Sequence, residues 1–252
     1  MIKWIITALL LTASLAGAQP PIVTILKAMQ DNVSISTDVR AMVSMTQQKV
    51  DQGTKVFEMA YYRRDRDDAF LIAFAAPESE KGNGYLRVED NFWMYRVNTR
   101  TFQHINRDES IGGTDAKGED FETRRLTELY QGETDPSGKE IIAADKLGAI
   151  PVWRFQIKAK VADVSYPFRT LWVRQDNLLS LKQQSYSSSR ALMNTAYYLK
   201  YTQVLGKYVP IEQMFIDEFE KGNKTIVKIS GIVTGKLDDR IFTKAYLENL
   251  SN

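Results

Sequence analysis

The sequence predicts a mainly β protein built on one large antiparallel sheet. Three observations lead there. Long stretches alternate apolar and polar residues with a period of two; aromatic residues, 11% of the chain, gather in those stretches; and short Asn-, Asp- and Gly-bearing segments separate them. Such alternation marks a strand with one dry and one wet face, the habit of antiparallel sheets. With 252 residues, 44% of them hydrophobic, the chain can bury a sizeable core. That length suits one generous β domain.

The first residues belong to a different kind of element. Met1-Ile2-Lys3 is a short positive head, residues 4–15 are apolar, and Ala16-Gly17-Ala18 precedes Gln19. This is the anatomy of a secretory signal peptide, so residues 1–18 are expected to be removed and 19–252 to form the mature domain. The apolar run falls well short of the ~20 residues that a membrane-spanning helix needs. The chain has no cysteine, which excludes disulfides and a lipid-modified cysteine anchor. A soluble periplasmic protein is the expectation. Without Lys3, the 33 basic residues become 32 against 31 acidic ones. Mixed charge near neutrality makes no phosphate-binding field, so nucleic acid is not an expected partner.

Residues 20–32 place Ile22, Ile25, Leu26 and Met29 at amphipathic helical spacing behind two prolines, as at a helix start. Such a helix can cap a sheet or lie across an opening; the pattern allows both. From residue 38 the period becomes two. Val39, Ala41, Val43 and Met45 are dry, with Met42 an exception on the wet side; Phe57, Met59 and Tyr61 follow, and Trp153, Phe155, Ile157 and Ala159 repeat the pattern most cleanly. Further strands are predicted at 69–76, 84–88, 92–97, 101–106, 168–174, 178–186, 192–201, 208–219 and 224–234. Turn chemistry such as Lys81-Gly82-Asn83-Gly84, Glu89-Asp90-Asn91 and Lys221-Gly222-Asn223 separates many of them. About a dozen strands joined by short hairpins make a meander, curled or closed upon itself. One polar, glycine-bearing interruption, 106–138, carries a short predicted helix at 120–130. Loops of that length inside a domain are commonly functional lids or disordered. The tail, 237–250, spaces Ile241, Phe242, Tyr246, Leu247 and Leu250 as a helix would.

Catalytic chemistry is hard to find. His104 is the one histidine, and zinc sites and most nucleophilic triads need more histidine or a cysteine. Asp67-Asp68 and Asp238-Asp239 sit beside basic residues and read as solvated turns. No enzyme, metal or cofactor is expected. Residues 69–76 (AFLIAFAA) and 92–97 (FWMYRV) are apolar on both faces. A fully buried central strand explains this, and so does the wall of a half-barrel lined for an apolar guest.

Residues 60–105 resemble the LolA-like outer-membrane lipoprotein-sorting family. A strand ends in Tyr61-Tyr62-Arg63-Arg64, a second follows at Phe70-Leu71-Ile72-Ala73-Phe74, then the acidic proline turn Ala76-Pro77-Glu78-Ser79-Glu80 and the aromatic strand Phe92-Trp93-Met94-Tyr95. Ser110-Ile111-Gly112-Gly113-Thr114-Asp115 and Glu119-Asp120-Phe121 look like a linker loop of one subgroup. Leu171-Trp172-Val173 and the closing Asp239 to Phe242 keep the order. The resemblance implies an unclosed, strongly curved antiparallel half-barrel, here of about 11–12 strands, with a few helices over its concave face. It also implies a hydrophobic cavity that takes up acyl chains of lipoproteins or lipids. Cargo would pass from an inner-membrane exporter to an outer-membrane acceptor, in a cavity that spares ~0.8 kcal/mol per CH₂ of exposure to water.

On that footing the dry faces expected to line the cavity are Val43, Met45, Phe57, Met59, Tyr61, Phe70, Ile72, Phe74, Trp93, Tyr95, Trp153, Phe155 and Ile157. The family's lid-controlling arginine falls on Arg64, with Arg63 beside it. Asp65 stands where a proline is common, and the mid-chain loop is longer than the family pattern. The leading expectation is a periplasmic carrier. The alternative is a sensor or interaction module of the same fold that binds a lipid or protein signal without transport.

Overall fold

The computed structural model describes residues 19–121, 126–162 and 164–250; the expected signal peptide lies outside them. The chain runs α1 (Ile22–Val33), β1 (Val39–Lys49), β2 (Gly53–Arg64), β3 (Ala69–Ala76), β4 (Gly84–Val88), β5 (Asn91–Arg96) and β6 (Thr101–His104). After the mid-chain loop come α2 (Leu126–Leu129), β7 (Tyr130–Gly132), β8 (Ile142–Leu147), β9 (Ile150–Ala159), β10 (Phe168–Arg174) and β11 (Ser180–Tyr186). β12 (Leu192–Val204), β13 (Lys207–Asp217), β14 (Lys224–Thr234) and α3 (Lys244–Leu250) complete it.

All 14 strands join one antiparallel sheet that does not close into a barrel, ordered β6-β5-β4-β3-β2-β1-β14-β13-β12-β11-β10-β9-β7, with β8 also paired to β9. The two halves meet where β1 pairs with β14, Val43 opposite Ile229 and Met45 opposite Val227. The two strands beyond the expected dozen are β7 and β8. β7 is three residues long, too short for a periodic signal. Of the predicted helix at 120–130, residues 122–125 lie outside the described residues; Gly118–Asp120 form a 3₁₀ turn, α2 covers Leu126–Leu129, and Tyr130 already starts β7.

The sheet has an inner face, wrapped around the loop and α1, and an outer face. On the inner face Val43, Met45, Phe57, Met59, Tyr61, Phe70, Ile72 and Phe74 form one buried cluster with Ile111, Ala116 and Phe121 of the loop. A second inner cluster packs the α1 stripe Ile22, Ile25, Leu26 and Met29 on Phe155, Ile157, Leu171 and Val173 of β9 and β10. The outer face is dry over β3–β5. There Leu247 of α3 is buried against Leu71, Leu86 and Tyr95. So α3 covers the outer side of the sheet, a correction to the expectation that the helices cover the concave face. α1 and the mid-chain loop lie inside.

Candidate functional site

Helix α1 lies along the inner face as a strap. Its four buried apolar side chains each contribute on the order of 2 kcal/mol, an upper figure since the unfolded chain already hides some surface. The polar contacts at its two ends are worth about 1 kcal/mol each. Packing therefore holds the helix, and the polar contacts fix where it starts and stops. At the N-terminus, which has no side-chain cap of its own, the Glu140 carboxylate accepts the Ile22 N–H at 2.8 Å, where the helix dipole favours a negative charge. At the C-terminus Lys207 Nζ donates to the Asp31 carbonyl at 2.7 Å, and Asn32 Nδ2 donates to the Asn177 carbonyl at 2.8 Å.

A third contact at that end comes from β2. Arg63 Nη2 donates to the Val33 carbonyl at 3.2 Å and to Asp65 Oδ2 at 2.7 Å, and its Nε is bonded to the other Asp65 oxygen. Asp65 Oδ2 also accepts the Ile35 N–H at 3.0 Å. Arg63 and Asp65 thus grip the α1–β1 junction from both sides of the peptide chain. Arg64 points the other way. Its Nε donates to Asp67 at 2.8 Å, its Nη1 to Asp239 at 2.6 Å, and its guanidinium lies 4.2 Å from the Phe242 ring centroid. The lid contact expected of Arg64 is made by Arg63, and Arg64 fastens the C-terminal tail on the outer face. The residue that departs from the family pattern, Asp65, is the anchor that orients the arginine.

The mid-chain loop is a plug pinned to five strands. Gln47 of β1 donates to the Gly113 carbonyl at 2.7 Å, and Thr225 of β14 donates to Asp115 Oδ2 at 2.8 Å while accepting the Asp115 N–H at 3.1 Å. Tyr85 of β4 accepts the Gly112 N–H at 3.0 Å, and Tyr61 of β2 donates to the Phe121 carbonyl at 2.6 Å. Arg169 of β10, 2% exposed, donates to both Glu119 oxygens at 2.9 and 3.2 Å. Removing one member of such a buried pair strands a charge, at a cost of about 3–5 kcal/mol. Burial pushes the Asp115 carboxyl above its ordinary range, against the Thr225 hydrogen bond, which lowers it.

Beneath these elements run two adjoining clefts. The larger, about 130 Å³, lies between α1 and β10–β13, walled by Met29, Val33, Leu126, Leu171, Leu179 and Tyr201. Burial drives the Tyr201 phenol well above its ordinary pKa, and its hydroxyl donates to the Ser180 carbonyl at 2.9 Å. The smaller, about 60 Å³, is walled by Ile35, Val39, Val209, Phe215, Val227 and Ile229. Arg63, Asp120, Pro210 and Gln213 line both and form a waist between them. Ligand pockets typically measure roughly 300–1,000 Å³, and both clefts are smaller than that. Among the described residues, no group of three or more Asp, Glu and His is placed to hold a metal ion.

The sequence-derived cavity residues distribute unevenly. Val43, Met45, Phe57, Met59, Tyr61, Phe70, Ile72 and Phe74 share the inner face, but the plug packs on them, and of these Tyr61 alone reaches a cleft. Phe155 and Ile157 are buried beneath α1, with Trp153 half-buried at the margin. Trp93 and Tyr95 are on the outer face, and their place in the cavity list is corrected. Tyr95 packs against Phe102 with tilted rings 4.6 Å apart, and Lys244 of α3 sits 4.3 Å from the Trp93 ring. Phe92 is the inward residue of that strand. With α3 drying the outer face there, both phases of the alternation are apolar.

Of the residues that line the clefts, the sequence reading named Tyr61 for the cavity and Arg63 for the lid; those of β10 to β14 were not singled out. In the β12–β13 pairing, register shifts around Lys200 break the period-two pattern.

An open antiparallel half-barrel with a helix and a loop over its inner face is the LolA-like fold. Three solved structures share it. A LolA superfamily protein from Nitrosomonas europaea matches with a TM-score of 0.76 and 18% identity, over 90% of this chain and 100% of that one. A putative outer membrane lipoprotein-sorting protein domain from Vibrio parahaemolyticus gives 0.77 and 17%, over 90% and 97%. A DUF1329 family protein from Desulfovibrio piger gives 0.76 and 18%, over 91% and 100%. The family model that matches this chain, described as an uncharacterized protein, spans residues 66–249, and the chain belongs to that family, DUF1329. No curated protein matches.

Proposed function

We propose that the protein is a periplasmic carrier that takes acyl chains of lipoproteins or lipids into the clefts beneath α1 and the plug and moves them toward the outer membrane. The observation that carries this is a pair of joined, largely apolar clefts, the larger under a helix whose ends are held by separate polar contacts and the smaller beside the α1–β1 junction. Such a helix can leave the sheet without the sheet itself unfolding. Export through a signal peptide, an inner-membrane exporter as source and an outer-membrane acceptor as destination complete the reading. In it the protein binds and releases, and makes no bond.

The energetics favour exchange over tight capture. A guest that buries a dozen methylenes gains on the order of 10 kcal/mol. To enter, it displaces α1 or plug side chains whose own burial is worth a comparable amount. The two nearly cancel, which leaves a loaded state that can be reversed by a partner. The LolA-like fold supports the same reading, as does the lipoprotein-sorting description of the Vibrio domain.

The test is binding of a fluorescent fatty-acyl probe to the mature protein. Leu171→Gln, in the wall of the larger cleft, is expected to weaken the probe at least about fivefold with folding unchanged by circular dichroism. Trp93→Gln, on the outer face, is expected to leave it unchanged. Equal binding by Leu171→Gln and wild type would remove the cleft from the account.

A further inference from the structure

Deep inside, the walls of the two clefts are not uniformly apolar. Gln213 of β13 is 7% exposed, faces both clefts, and its carboxamide bonds to nothing among the described residues. Ser180 Oγ, in the wall of the larger cleft, is buried and has no hydrogen-bond partner among the described residues. A buried polar group left unpaired is costly enough that folded proteins nearly always give it a partner, so an exception calls for an explanation, commonly a ligand or an ordered water. Arg63 adds donors at the same place: Asp65 and Val33 take its Nε and Nη2, and its Nη1 has no hydrogen bond to another described residue.

We propose that this waist recognises a non-ionic ester or amide linkage, and that the preferred cargo has two apolar arms joined by it, one arm in each cleft. The inference rests on the carrier reading and names its substrate class. The chemistry selects the linkage. A carboxamide and a hydroxyl both donate and accept, which matches an ester or amide carbonyl and, for an amide, its N–H. An anionic head is a poorer fit, because Asp65 already neutralises Arg63 and Asp120 brings a second carboxylate to the waist. The shape selects the arms. Met29, Leu171 and Leu179 wall one side of the waist; Val39, Phe215 and Val227 wall the other. A single-chain molecule would fill one side and leave the other empty.

The experiment measures displacement of a fluorescent acyl probe from the mature, delipidated protein by three competitors: octyl octanoate, heptadecane and palmitate. Octyl octanoate and heptadecane have chains of equal length and differ in the linkage. Wild type is expected to bind octyl octanoate about tenfold or more tightly than heptadecane, and more tightly than palmitate. Gln213→Leu and, independently, Ser180→Ala are expected to cut the ester preference to about threefold or less while heptadecane binds as before. Equal affinity of wild type for ester and hydrocarbon would overturn the proposal while leaving the carrier reading intact. So would a preference for palmitate, or variants that weaken ester and hydrocarbon alike. If none of the three displaces the probe from wild type, the carrier reading itself fails.

Discussion

Arg63 and Arg64 are neighbours in sequence and leave β2 on opposite faces. Arg63 continues the inward series Phe57, Met59, Tyr61, and reaches the end of α1; Arg64 shares the outward phase of Tyr62 and reaches the tail. Their substitutions therefore have separate consequences. Arg63→Leu leaves Asp65 with its charge and without its partner, and is expected to cost about 3 kcal/mol. Faster amide exchange should be confined to the last turn of α1 and residues 34–36. Arg64→Leu should instead speed exchange in residues 239–250 and spare α1. The same exchange map for both variants would refute the division of roles.

Asp115 is one titratable group of the plug. Its carboxyl is shifted upward by burial, so the folded protein holds this proton at a higher pH than the unfolded chain does. The group then binds more protons in the folded state, and stability falls as pH rises through the window between the ordinary carboxylate value and the raised one. Asp115→Asn removes that titration and keeps an acceptor for Thr225. It is expected to raise the melting temperature at neutral pH and flatten the acid side of the stability profile. A lower melting temperature at neutral pH would show that the charge stabilises the plug.

Among the elements, those whose faces differ were legible; of the two with both faces dry, β3 was given its inward residues Phe70, Ile72 and Phe74 and β5 the wrong phase. In β1, β2 and β9 one face meets the core and the other meets water, and the alternation gave both strand and inward residues. β5 has its outer face under α3, so FWMYRV offered two equally apolar phases and the inward set came out as Trp93 and Tyr95 in place of Phe92 and Met94. The arginine at the lid was legible in principle: extending the 57-59-61 series by one step gives Arg63. The α1 stripe was plain from spacing. Its N-terminal partner Glu140 is remote in sequence, and no local pattern points to it. The plug was recognisable as an element by its length and polarity, but not by its contacts, which come from five strands.

Gly118 gives a test of how tightly the plug fits. A Cβ there would come within 2.4 Å of Phe92 Cε1 and 3.2 Å of the Arg107 carbonyl. Gly118→Ala is expected to cost about 1–3 kcal/mol by overpacking and to lift the loop from the aromatic wall, raising the fluorescence of an apolar dye. Unchanged dye binding with wild-type stability would mean that the loop is already loose.

At the scale of the molecule, what matters is that the sheet stays open and its interior is filled by the protein's own parts. The strand ends β6 and β7 do not meet, so the inner face is closed by α1 and the plug, each fastened by bonds that can be exchanged singly. The sheet is the frame; in the proposed carrier reading the fillers are what a guest would replace. A carrier needs that arrangement. A sensor that reports binding without delivery would also fit the fold, but it would not need to surrender its guest to a membrane.

The most direct measurement is native mass spectrometry of the protein recovered from the periplasm of a strain that exports it, under conditions that keep lipid complexes intact. The account predicts a polypeptide beginning at Gln19 and carrying one acylated molecule, which is lost when acceptor membranes are added. A protein recovered only in the ligand-free form, or one that keeps its guest in the presence of those membranes, would contradict it.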